Sequence, residues 1–180
     1  MLAGTGMATF VFTYQALVAF LPTYLVEVKG LDGGLAAALF GLLFVVGAVT
    51  QPLGGYLADR YGERRTMLGL VVLATGTLLV LPFAGGVGLL VLVPLLGVRI
   101  TIGPVTSAYI VRDLPDRIQG TGWGLLRSAF FGLGATGSTV VGVFGDAGMF
   151  DAGFLFLAGL TAVVGPLWLF VPSRDRQPPG

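Results

Sequence analysis

Apolar runs about twenty residues long follow one another along almost the whole chain, separated by short polar stretches. Drawn at 4–28, 34–58, 66–83, 87–111, 120–145 and 151–172, they predict six helices. At 1.5 Å per residue each crosses a hydrocarbon core of about 30 Å, the third only barely. Residues 173–180 form a polar tail. The first run is uncharged until Glu27 and too long for the core of a secretory signal, so it reads as a spanning helix. It begins with no polar lead-in, which gives the expectation of a piece cut from something longer.

The polar stretches alternate in character. One set carries Asp59-Arg60-Tyr61-Gly62-Glu63-Arg64-Arg65, the stretch from Arg112 to Arg117, and Arg174 and Arg176 in the tail. The other carries Lys29, Asp32, Asp146 and Asp151. Basic residues concentrate on the cytoplasmic side of membrane proteins, so this alternation predicts a multi-pass protein of the plasma membrane with both chain ends in the cytoplasm.

Composition agrees. Hydrophobic residues make up 55% of the chain and charged ones 11%, against roughly 25% charged in soluble domains, so the bilayer is the expected solvent and partner. The net charge of +1 argues against nucleic acid as a partner. The chain has neither Cys nor His, which removes disulfides, thiol chemistry, the usual zinc sites and imidazole catalysis. Ser107, Ser128 and Ser138 have no His or Lys base within the spans, so an intramembrane enzyme is disfavoured. No metal and no cofactor is expected.

Between the second and third runs stands Gly55-x-x-x-Asp59-Arg60-x-Gly62-x-Arg64-Arg65. Here the chain resembles the major facilitator superfamily, whose signature loop joins its second and third helices and is often repeated between its eighth and ninth. Glu63 departs from the pattern, where the family prefers a basic residue, and weaker charge pairing is expected there. Gly55 would permit close helix contact, and Gly62 would supply a turn conformation closed to larger residues. The resemblance implies an all-α membrane protein of six transmembrane helices, one half of a twelve-helix transporter that works by alternating access on a small solute held between its halves. It further implies that Asp59 latches against the opposite half, with Arg60, Arg64 and Arg65 either sharing that role or setting topology.

The stretch from Gly120 to Phe156 is similar to the family's eleventh helix and the start of its twelfth, which favours the C-terminal half. Arg99-x-x-x-Gly103 resembles a motif of the family's fourth helix and points the other way. The partner would then be the missing six-helix half or a second copy of this one. The alternative is a non-transporting membrane module, or a truncated product active only on assembly with such a partner.

Few polar residues interrupt the spans. Arg99 lies about twelve residues into the fourth, where an exposed arginine costs roughly 2.5–3.5 kcal/mol, so it must face protein or water. On a regular helix Gly103 and Thr106 share its face and form a polar strip toward a cavity. Tyr14 and Gln15 break the first span halfway and are, with Arg99 and Thr106, the candidates for solute contact. Arg127, about two turns into the fifth span, either snorkels to the interface or gates. Pro22, Pro52, Pro94 and Pro104 should kink or break their spans. Gly134, Ser138 and Gly142 form a stripe for close packing, and Trp123 and Trp168 read as interfacial anchors.

Overall fold

The computed structural model describes residues 2–170, with side chains from Gly4 onward. The tail at 173–180, with Arg174 and Arg176, lies outside the described residues. Seven α-helices and no strands occur among those described: α1 (Leu2–Glu27), α2 (Gly33–Tyr61), α3 (Glu63–Val80), α4 (Val87–Leu95), α5 (Ile102–Arg112), α6 (Gln119–Asp146) and α7 (Phe150–Leu169). α4 and α5 are the two parts of one span, Val87–Arg112, so six stretches are long and apolar enough to cross a membrane.

Local chemistry sets the boundaries. Asp32 caps α2 by accepting from the backbone N–H groups of Gly34 and Leu35. That helix runs on through Asp59 and Arg60, three residues past the predicted end at 58, and stops where Gly62 takes φ +91°. α3 therefore starts one residue later, at Glu63.

Pro22 and Pro52 lie inside unbroken helices, whereas the fourth span breaks after Pro94. Proline has no N–H to donate and crowds the preceding turn. Leu96–Thr101 then forms a 3₁₀ segment before the α-helix resumes. Arg99 lies inside that segment.

The helices pack mainly as three pairs, α1 with α6, α3 with α7, and α2 with the fourth span. Glycine brings the backbones close in two of them. A Cβ on Gly97 would overlap the carbonyl oxygen of Leu43, and one on Gly137 would overlap that of Phe12. The expected small-residue stripe on α6 does face a neighbour: a Cβ at Gly134 would meet Val11, and one at Gly142 the ring of Phe20.

The apolar core has two parts. One gathers Leu17, Leu21, Tyr24, Leu43, Leu78 and Phe154 toward the Lys29 end. The other gathers Met67, Val71, Tyr109, Phe130 and Trp168 toward the Arg-bearing end. Trp168 corrects an expectation. It is 1% exposed and meets Tyr109 edge-on at 5.6 Å, so it is a core residue and not an interfacial anchor. α3 and α5 close over it because the indole area gains more from burial against their apolar side chains than from the interface.

Coverage is uneven. In the apolar windows of the spans containing α2 and α6 only 22% of residues are buried, against 39–44% in the other four. These two helices therefore present most of their surface outward.

Candidate functional site

Arg99 is 1% exposed. One terminal nitrogen donates to Thr13 Oγ1 at 2.7 Å, while Nε and the other terminal nitrogen are buried without a partner. No ion pair to it occurs among the described residues. A buried guanidinium that has neither counter-charge nor full hydrogen bonding is costly, since its lost hydration is only partly replaced. The 3₁₀ segment that carries it is also the place where the fourth span departs from regular helix, a feature that recurs at hinges.

The polar strip predicted along Arg99, Gly103 and Thr106 does not face one cavity. A Cβ on Gly103 would touch the ring of Phe10 on α1, whereas Thr106 donates to Met67 Sδ on α3 at 3.7 Å and is 1% exposed. Arg99, through Thr13, and Gly103, beside Phe10, both look toward α1. Thr106 stands about 60° round the axis of α5 from Gly103, which turns it toward α3.

Tyr14 is half-buried, adjacent in sequence to Thr13, and stacks on Phe10 at 5.7 Å. Gln15 is half-buried on the next face of α1. The structure thus brings Arg99 against the Thr13–Tyr14 stretch of α1 and places Thr106 on a separate side.

At the Arg-bearing end, Asp59 is exposed and makes no hydrogen bond or ion pair among the described residues. Arg60 donates to the Tyr56 hydroxyl at 2.6 Å and lies 5.5 Å from the ring centre of Tyr61. Arg64 is half-buried and Arg65 is exposed. Gly62 makes the left-handed turn expected of it. Within this chain the close-contact glycine is Gly54, whose Cβ would overlap Thr101, while a Cβ on Gly55 would meet nothing within 4 Å. Arg127 is exposed on α6 and lies 5.6 Å from the ring centre of Phe131.

Sequence reasoning missed several contacts. Glu63, expected to weaken charge pairing in the loop, forms an ion pair with Arg112 at 2.8 Å that ties the α2–α3 turn to the end of α5. Thr13 is the direct partner of Arg99, and its place in the polar run Thr13-Tyr14-Gln15 was the available signal. At the other end Tyr24 donates to Asp151, Lys29 donates to the Pro82 carbonyl, and the Lys29 ammonium lies 5.3 Å from the Tyr24 ring centre. Nothing in spacing alone joins residues so far apart in the chain. A cleft of about 560 Å³ opens between α2 and α3, and Tyr14, Gln15, Arg99 and Thr106 are not among its lining residues.

Comparison with known proteins places these features. The sequence model described as Major Facilitator Superfamily matches residues 3–180. An uncharacterized MFS-type transporter of Bacillus subtilis, YfnC, is 38% identical over 138 residues, covering 75% of this chain and 32% of that protein. A probable nitrate/nitrite antiporter of Thermus thermophilus, NarK1, is 39% identical over 122 residues, covering 57% of this chain and 27% of that one. The crystal structure of the fucose:proton symporter of E. coli, FucP, superposes with a TM-score of 0.75 at 22% identity. The match covers 98% of this chain and 42% of FucP. The chain thus spans less than half the length of these relatives.

Proposed function

We propose, because this chain belongs to the Major Facilitator Superfamily, that it is one six-helix half of a secondary transporter and moves a small solute across the plasma membrane by alternating access. Arg99 carries this reading. A charge held at 1% exposure, with two nitrogens unsatisfied, supports a role for which the cost of burial is tolerated, and an anionic solute would supply the missing partner. Relatives named as a probable nitrate/nitrite antiporter and, in Bacillus subtilis, as a nitrite extrusion protein make nitrate and nitrite the first solutes to test. Because α1 covers Arg99, solute access needs local movement of α1 against the 3₁₀ segment as well as rocking of one half against the other.

The sparsely covered faces of α2 and α6 fit a second half, or a second copy, packed against them, and on α2 Asp59 is exposed and Gly55 has open space beside it. In this arrangement the Arg-bearing end and both chain ends lie in the cytoplasm. The test is uptake of isotopically labelled nitrate and nitrite into proteoliposomes. Saturable uptake above that of protein-free vesicles is expected. Uptake that rises only linearly with concentration, for both anions, contradicts the anion reading.

A further inference from the structure

The cleft between α2 and α3 has no part in the path described above. Its volume of about 560 Å³ falls within the range of roughly 300–1,000 Å³ of small-molecule sites. Leu53 and Leu57 form one wall, Leu70 and Leu73 the other, and Val98 lies behind them. Leu53, Leu57, Tyr61 and Leu73 are exposed along its open side.

One end of the cleft differs from the rest. Tyr61 and Arg65 line it there, at the Arg-bearing end of the bundle. Arg65 is exposed and makes no hydrogen bond or ion pair among the described residues. From Arg65 to Leu73 the wall of α3 descends about 12 Å at 1.5 Å per residue, most of the roughly 15 Å thickness of one leaflet. The cleft is therefore a single-leaflet apolar slot with a cation and a phenol at the headgroup level.

We infer that this slot seats an acyl chain of an anionic phospholipid from the leaflet at the Arg-bearing end, with Arg65 holding the phosphate. The guanidinium fork matches phosphate geometry, and Tyr61 adds a hydroxyl at the same level. An anionic lipid satisfies both features of the slot, since its chain removes the leucine walls from contact and its headgroup answers the unpaired charge. Gly69 keeps the slot open. A Cβ there would meet nothing within 4 Å, so a larger side chain can grow into the space without displacing protein.

The test is native mass spectrometry of the protein released from nanodiscs of equimolar phosphatidylglycerol and phosphatidylcholine. One retained lipid is expected, with phosphatidylglycerol favoured about fivefold, the factor one basic side chain supplies near the membrane surface. Arg65→Gln should keep the lipid and bring the ratio close to one. Gly69→Phe should lose retention of both lipids. Retention without preference, a preference unchanged in Arg65→Gln, or retention unchanged in Gly69→Phe would each overturn the assignment. So would the absence of any retained lipid, the outcome expected if a helix of another half filled the slot.

Discussion

Arg99 and Arg65 bear the same charge in opposite circumstances. Arg99 is sealed between α1 and the 3₁₀ segment with two nitrogens unsatisfied, whereas Arg65 stands exposed at the end of the bundle, where hydration and lipid headgroups are within reach. The first is expensive to keep and the second is not. An exposed arginine is explained by topology alone, but a buried, unpaired one needs a purpose beyond folding. The contrast extends to the neighbouring residues. The site around Arg99 lies within packed spans, and the turn near Arg65 holds one ion pair and several charges facing outward.

The sharpest way to break this comparison is to replace the buried charge. Arg99→Met should leave the fold as stable or more stable, because apolar replacement of buried charge is often neutral or stabilising by about 1–4 kcal/mol. Transport should fall about tenfold or more, the loss expected when a charge-assisted contact to solute disappears. Parallel unfolding and uptake measurements check both signs. A variant that unfolds more easily would mark Arg99 as structural.

Next comes packing beside the same segment. Gly97→Val must overlap the Leu43 backbone and should cost about 1–3 kcal/mol, seen as a lowered unfolding midpoint. Gly55→Val is its counterpart, since a Cβ at Gly55 meets nothing within this chain. It should leave the unfolding midpoint of the isolated bundle unchanged and weaken assembly with a second half, read by co-purification.

At the exposed turn the effects should shrink. Asp59→Asn should not move the unfolding midpoint, yet should lower uptake several-fold if the carboxylate latches against another half. Glu63→Gln should cost under about 1 kcal/mol, as partly exposed ion pairs do. The exchange Glu63→Arg with Arg112→Glu should recover that loss, whereas either change alone should not.

Much of the fold was legible because the signals were local. Apolar runs gave six spans, and Gly62 gave the turn, since its positive φ lets a single residue separate α2 from α3. The fate of Arg99 was half legible. Its depth required shelter, but the sheltering residue, Thr13, lies 86 positions away in the sequence, and the pairing depends on how α1 meets the fourth span. The expected strip through Thr106 failed because Thr106 lies about 60° round α5 from Gly103, and the packing of α1 and α3 on either side of that helix sends the two residues to different neighbours. Trp168 misled for a related reason. Its place near a helix end suggested the interface, while the packing of α7 against α3 and α5 decided its burial. Glu63 showed the limit of judging one motif position without its neighbour, since Arg112 belongs to another stretch of the sequence.

The most direct measurement is uptake of labelled nitrate and nitrite by the wild type and Arg99→Met in matched proteoliposomes, after equal insertion and equal thermal stability have been verified. Saturable uptake by the wild type and loss of about tenfold or more in the variant is the predicted result. Equal uptake and equal apparent affinity in the two proteins would contradict the claim that the buried arginine is kept for an anionic solute.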